Sequence, residues 1–277
     1  MRSEQPLLLI NVVGLTPSLL GEATPQINAL LKTAKMASLQ PVFPAVTSTV
    51  QASILTGAPP SQHGIVGNGW YFRDQAEVRF WLQPNALIQG EKVWHTLKRE
   101  MPGFRCSQLF WWYNMYADVD ASITPRPHYP ADGRKQFGLY SSPPGLHEQI
   151  EAQIGEFPFH GFWGPAAGIA SSRWIVECAM AEFQISRPHL QLIYLPHLDY
   201  SLQRVGPEHP SIADEVRAID HEVGRLLAFA EAQGAAVMLL SEYGIEAVAQ
   251  SVSINRVLRA EGLLQVRQSL SWELLDP

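Results

Sequence analysis

Val42-Phe-Pro-Ala-Val-Thr-Ser-Thr-Val-Gln-Ala-Ser-Ile-Leu-Thr-Gly57, continued by Pro59-Pro-Ser-Gln-His-Gly-Ile-Val-Gly-Asn68, is the stretch on which the fold turns. Pro44 fixes an extended approach, and Thr47 to Thr56 predicts a helix that stops at Gly57. Thr47 then sits at the helix N-terminus. The first N–H groups there lack intrahelical partners and the dipole end is positive, which favours a phosphate or a threonine alkoxide. A hydroxyl at that place is also an ordinary N-cap. The residues alone leave both readings open.

Outward from this segment the chain reads as α/β. Leu7-Leu-Leu-Ile-Asn-Val-Val13, Leu190-Gln-Leu-Ile-Tyr-Leu195 and Ala235-Ala-Val-Met-Leu-Leu240 are continuous apolar runs, the pattern of strands buried on both faces. Between the last two, Ile212, Val216, Ile219, Val223, Leu226, Leu227 and Ala230 recur at helical spacing. Strand, amphipathic helix, strand is a crossover unit, so the two strands are expected to run parallel. Thr24-Pro25 opens a further helix with Thr24 as N-cap and a stripe of Ile27, Leu30, Leu31 and Ala34. Asn255 to Gly262 predicts a helix, and Leu263 to Val266 a short strand after it. Val13-Gly14, Asp199 and Glu242 each follow a predicted parallel strand, at the edge where open α/β sheets bind ligands.

Residues 83–168 differ. Trp111-Trp112-Tyr113, Tyr116, Pro125, Pro127, Tyr129, Pro130, Phe157, Phe159, Phe162 and Trp163 suggest a loop-rich insertion over the sheet rather than more sheet. A lid and a plain aromatic subcore fit that composition equally.

The chain has 277 residues, 46% of them hydrophobic, with a formal charge of −6 and mean hydropathy of −0.04. An acidic balance without a basic cluster argues against nucleic acid as a partner. The run from Leu7 is too short for a membrane span, and no cleavage site follows it. The expected setting is therefore the cytoplasm, with no membrane partner. Cys106 and Cys178 read either as small buried residues or as one disulfide.

The string Val-Phe-Pro-x-x-Thr, then Thr-Gly, then Pro-x-x-His-Gly-Ile, resembles the segment around the catalytic threonine of the nucleotide pyrophosphatase/phosphodiesterase family, in the alkaline phosphatase superfamily. The match runs without a gap over roughly 27 residues. Tyr194-Leu-Pro-His-Leu-Asp199, with Gly206-Pro207, resembles that family's strand ending in an aspartate. Leu239-Leu-Ser-Glu-Tyr-Gly244 resembles its strand ending in Ser-Asp-His-Gly, and Asn255 to Leu264 its Asn-x-x-Leu-x-x-x-Gly-Leu-Leu. The resemblance implies an alkaline-phosphatase-like fold: a mostly parallel central sheet flanked by helices. It implies one domain over 1–277, expected to be incomplete at its C-terminus, with residues 83–168 as an insertion.

It also implies chemistry. Thr47 takes the nucleophile position, and His63-Gly64 a structural turn. The family's hydrolases hold two zinc ions with three aspartates and three histidines. Of these, Asp199 is unchanged and Glu242 is a conservative stand-in. Val13, Gln203 and Tyr243 replace an aspartate and two histidines, and the last histidine of the pattern lies beyond Pro277. The expected metal ligands are Thr47, Asp199 and Glu242, for zinc by resemblance or for Mg, Mn or Ca by the oxygen-rich donor set. His197 reads as structural. Gln51, Asn68, Gln203 and Tyr243 are expected near a phosphate, and Trp70, Tyr71, Trp111, Trp112 and Tyr113 as surfaces on which a base or other planar leaving group could stack. The expected partner is a small phosphorylated substrate such as a nucleotide. The expected activity is hydrolysis of a phosphodiester or pyrophosphate through a phospho-threonine. Two alternatives stand beside it: a catalytically degenerate member binding a phosphorylated ligand or partner protein, and a hydrolase of another ester.

Overall fold

A computed structural model describes residues 5–40, 42–127, 136–269 and 271–276. In chain order the first half runs β1 (Leu7–Val12), α1 (Pro25–Leu31), α2 (Thr47–Thr56), α3 (Pro60–His63), β2 (Gly69–Phe72), β3 (Glu77–Phe80), α4 (Val93–Glu100), β4 (Cys106–Leu109), β5 (Ala121–Pro125) and β6 (Leu139–Ser142). The second half runs α5 (Leu146–Ile154), α6 (Ile169–Ser186), β7 (Leu190–Leu195), α7 (His197–Val205), α8 (Ile212–Ala232), β8 (Ala236–Leu240), α9 (Ile254–Ala260), β9 (Val266–Ser269) and β10 (Trp272–Leu275).

The central sheet has six strands among the described residues, in the order β6-β5-β4-β7-β1-β8. All neighbours pair parallel except β6, which runs antiparallel to β5. β1 lies between the two strands of the expected crossover, with Leu9 opposite both Leu192 and Met238. Its run of apolar residues serves both faces. Leu8, Ile10 and Val12 join the core formed with α6, α7 and α8, whereas Leu9 joins the core that holds Leu55 of α2 and Trp94 of α4. A strand flanked by helices on both sides has no polar face to alternate, which is why its sequence is continuous. Each such Leu or Ile contributes about 1.5–3 kcal/mol by burial. β8 differs from the expectation of full burial. It is the sheet edge, and Met238 is half exposed.

Two local expectations change. Thr24 does not cap α1 with its side chain. Its hydroxyl turns back to Gly21, and the first free N–H groups of α1, from Gln26 and Ile27, donate to the Asp220 carboxylate of α8 at 3.0 and 2.9 Å. α1 also ends at Leu31, leaving Ala34 exposed. At the other end, Leu263–Gln265 is no strand. The strand begins at Val266 and pairs antiparallel with β10.

The largest correction concerns residues 83–168. Instead of lying over the sheet, this region supplies β4, β5 and β6, half of it. These strands carry Cys-Ser-Gln-Leu, Ala-Ser-Ile-Thr-Pro and Leu-Tyr-Ser-Ser, so no apolar run marks them. Ser107 and Thr124 find distant partners, whereas the Gln108 amide and Ser122 Oγ have none among the described residues. Ser107 Oγ donates to Glu182 at 2.8 Å, and Gln83 donates to Thr124 at 2.8 Å. Trp111 and Tyr113 are fully buried core residues. Tyr129 and Pro130 lie outside the described residues. Cys106 and Cys178 are buried free thiols, not a disulfide.

Glu182 shows what such a polar core costs. Burial raises its pKa, and bonds from Ser186, Ser107 and Gln191 offset only part of the rise. A carboxyl raised in the folded state contributes stability at low pH that is lost as pH climbs through its folded value. Glu182→Gln escapes that loss, and its amide satisfies both neighbours, with N–H to the Ser107 oxygen and C=O to Gln191. The free energy of the variant relative to the parent is therefore expected to rise as pH climbs above the ordinary carboxylate range in urea unfolding; a pH-independent difference would contradict the assignment.

Candidate active site

β1, β7 and β8 end side by side, and their C-terminal ends meet the N-terminus of α2. After Val13 the chain turns at Gly14, with φ +82°, close against α7. A Cβ there would stand 2.9 Å from the Leu202 side chain, so the tight exit from β1 requires glycine. After β7 the chain passes directly into α7, which places Asp199 in the first turn of a helix rather than at a strand end. After β8 comes Glu242-Tyr243, with Ser241 Oγ donating to the Tyr243 carbonyl at 2.8 Å to hold the turn.

Thr47 is the first residue of α2 and is buried; Val46 precedes it as N-cap without a side-chain bond. The capping acceptor is Asn68, whose Oδ1 takes the Ser48 N–H at 3.0 Å. The Thr47 hydroxyl is therefore spared capping duty. Its Oγ1 lies 3.3 Å from the Tyr243 hydroxyl, which donates to Asp199 Oδ1 at 3.0 Å. Because the Tyr243 proton points to the carboxylate, Thr47 is the donor wherever these two hydroxyls share a bond, and the same Thr47 proton also lies within reach of Glu242. Gln203, one turn after Asp199 on α7, donates to Asp199 Oδ2 at 2.9 Å. Glu242 Oε2 accepts from Asn11 Nδ2 of β1 at 2.7 Å and from Gln51 Nε2 of α2 at 2.8 Å. Gln51 Oε1 in turn takes the Trp112 N–H at 2.8 Å.

Burial dominates the electrostatics. It pushes Glu242 up to about 7, with bonds from Gln51, Thr47 and Asn11 pulling the other way and the Asp199 charge adding to the rise. Burial likewise raises Asp199, opposed by Gln203 and Tyr243. Tyr243 is raised by burial and then by both carboxylates, so the phenol keeps its proton.

In front of Thr47 opens a cavity of about 1050 Å³. Thr47, Asn68, Asp199, Gln203 and Tyr243 lie in its wall. Gln51 and Trp70 do not. Gln51 is fully buried beneath the site, and Trp70 packs beside Phe72 on the β2–β3 ribbon. Of the other expected stacking residues, only Trp112 lines the cavity, joined by Trp81 with ring centroids 5.2 Å apart. Trp81 follows β3 in a left-handed turn and carries no periodic signal that would mark it. His197 turns away to Glu215 of α8, 2.8 Å distant. His63 closes its turn by bonding Ser53 at 2.8 Å and accepting the Ile65 N–H at 3.1 Å.

A mostly parallel six-stranded sheet flanked by helices is an alkaline-phosphatase-like fold. Within it the chain belongs to the family "Type I phosphodiesterase / nucleotide pyrophosphatase", whose model matches residues 7–275. No curated protein matches the sequence. Among solved structures, phosphonoacetate hydrolase from Sinorhizobium meliloti 1021, in complex with phosphonoacetate, matches at TM-score 0.68 and 16% identity over 95% of this chain and 64% of that one. Its complex with phosphonoformate matches at 0.67 and 15%, with the same coverage. Murine ectonucleotide pyrophosphatase/phosphodiesterase 5, an inactive threonine-to-alanine variant in complex with AMP, matches at 0.63 and 15% over 98% of this chain and 66% of that one. At these identities the likeness is one of fold. The chain spans just under two thirds of the length of the structures it matches.

The family is generally metal-dependent, and the donor set here does not fit that role. Thr47, Asp199 and Glu242 do come together, but three of the four carboxylate oxygens already accept from neutral donors. Val13, in place of an acid, is buried in the apolar core. Among the described residues no group of three or more His, Cys, Asp or Glu is placed to hold an ion.

Gln51 is the joint of this site, since it satisfies both a buried carboxylate and a buried N–H. Gln51→Leu, similar in volume, strands both groups and is expected to cost about 2–3 kcal/mol, read as a lower urea midpoint at unchanged slope. A loss below about 0.5 kcal/mol would show that the bonds carry little.

Proposed function

We propose that this chain is a hydrolase of a phosphodiester or pyrophosphate, with Thr47 as nucleophile. The observation that carries the reading is the hydrogen-bonded chain from Thr47 through Tyr243 to Asp199. In the proposed reaction the Thr47 Oγ attacks phosphorus while its proton passes to the Tyr243 oxygen and the Tyr243 proton to Asp199. The leaving alkoxide or phosphate departs opposite Thr47 and takes up the Asp199 proton by way of solvent; water then cleaves the phosphoryl-threonine ester, its hydroxyl bonding to phosphorus and its proton returning to Thr47 Oγ, which releases the product. Equatorial oxygens lie near the N–H groups that open α2 and the amide of Gln203, fixed donors that stabilise developing charge.

Charge supports a diester. Asp199 and Glu77 line the cavity, Arg79 there is paired with Glu77, and Arg126 is the further cation among the described lining residues. A phosphomonoester dianion gains little in such a wall, whereas a diester carries a single charge. Trp81 and Trp112 offer a flat apolar surface to the group beyond the phosphorus. The neighbours' ligands, phosphonoacetate and AMP, are of the small phosphorylated kind. The inactive threonine-to-alanine neighbour is in keeping with a threonine at the centre of the chemistry. Among the described residues no helix is long and apolar enough to cross a membrane.

The test is turnover of bis(p-nitrophenyl) phosphate against p-nitrophenyl phosphate. The parent is expected to prefer the diester, Thr47→Ala to lose at least about 10³-fold in kcat, and Thr47→Ser to retain part of it. Unchanged turnover in Thr47→Ala would remove Thr47 from the mechanism. Ligand binding without turnover under any condition would favour the degenerate, binding-only reading instead.

A further inference from the structure

We propose that Tyr243, Gln203, Gln51 and Asn11 are positioning residues that hold Asp199 and Glu242 around Thr47 by hydrogen bonds alone, so that the site is built to operate without a divalent cation. The catalytic part of this inference rests on the function proposed above; the cation-free part stands on the geometry.

Ligation of a metal and acceptance of a hydrogen bond use the same carboxylate lone pairs. Here both oxygens of Asp199 accept, one from a phenol and one from an amide, at 3.0 and 2.9 Å. Glu242 Oε2 accepts twice, at 2.7 and 2.8 Å. A cation entering between the two carboxylates would face N–H and O–H groups whose hydrogens point at it. Gln51 cannot swing aside cheaply, because its other end holds the Trp112 N–H.

Two buried oxygens in this region lack a donor, Glu242 Oε1 and Asn11 Oδ1. Two oxygens, one of them an amide, fall well short of the 6–8 that Ca takes, and Mg, which keeps several waters, would find a single free carboxylate oxygen here, Glu242 Oε1. Among the described residues no imidazole completes a zinc set either, because His63 and His197 are engaged elsewhere. Position 13 is closed to any ligand by its place in the apolar core.

The four residues also complement one another. Asn11, Gln51, Gln203 and Tyr243 each direct a donor at a buried acid, on both sides of Thr47. Scattered loss of ligands would leave acids unpaired; here each acid accepts from two neutral donors. Such an arrangement holds the carboxylates but adds no positive charge, which matches a singly charged substrate better than a dianion.

The experiment uses the purified full chain. After exposure to Zn, Mn and Mg and desalting, its metal content is measured by plasma mass spectrometry, and its Tm with each cation and with EDTA. Less than about one-tenth of an equivalent of each metal and an unmoved Tm are expected. Close to one equivalent of any of them, with a Tm rise that EDTA reverses, would overturn the proposal. Gln203→His combined with Tyr243→His, beside Asp199, is expected to gain a zinc-dependent rise in Tm that the parent lacks. Equal zinc responses in parent and variant would also overturn it. For the positioning role, Tyr243→Phe is expected to lower kcat at least tenfold with KM little changed and to alter the pH profile; an unaltered profile and kcat would remove Tyr243 from that role. A parent with no turnover but also no metal would defeat the proposed function and leave the cation-free site standing.

Discussion

The Glu242 carboxylate is the constraint on which the rest of the site depends. Its Oε2 ties together Asn11 of β1, Gln51 of α2 and the turn that leaves β8. Through Gln51 the tie extends to the backbone of Trp112, beyond β4. Four segments far apart in sequence are thereby fixed at one edge of the sheet. The acid is almost fully buried and raised to about 7, so it is costly to ionise. Such a group persists only where its donors are held in place, and here β1 and α2 hold them. The N-terminus of α2, and Thr47 with it, is positioned as a consequence.

The second tie, between Tyr243 and Asp199, starts from the residue after Glu242. The turn that anchors α2 therefore also delivers the phenol to Thr47. Asn68 completes the arrangement by capping the Ser48 N–H from the segment beyond α3, which leaves the threonine hydroxyl for Tyr243. Nothing in this construction needs a cation to hold the acids near one another. The cavity above it combines two acids, an arginine paired with one of them, a second arginine and three tryptophans among the described residues, a wall suited to a weakly charged ester with a flat substituent.

Much of this was legible in the sequence where a single physical signal dominates. β1 and β7 announce themselves because strands buried on both faces must be apolar throughout. α8 does so because one face is buried and the other wet, and α2 because a proline-fixed entry and Gly57 bound it. The middle of the sheet was hidden. β4, β5 and β6 are short and carry Ser, Gln and Thr in place of an apolar run; where Ser107 and Thr124 find partners these are the distant Glu182 and Gln83, and pairing over such distances leaves no local pattern. The candidate site was legible in part for the same reason. Thr47, Asp199 and Glu242 stand at predictable strand and helix ends. Asn11 lies inside an apolar strand and reads as a flaw in it until its partner is seen, and Gln51 reads as a substrate contact until both its ends are found occupied. Trp81 is brought to the cavity by a hairpin that no periodicity marks.

What joins fold to chemistry is the claim that Thr47 becomes covalently linked to phosphorus. The most direct measurement is an acid-quenched reaction of the chain with bis(p-nitrophenyl) phosphate, followed by intact-mass analysis and peptide mapping. A p-nitrophenylphosphoryl adduct that accumulates within turnover, maps to the peptide bearing Thr47 and disappears on chase is the predicted result. Turnover without any adduct, or an adduct on a different residue, would contradict it.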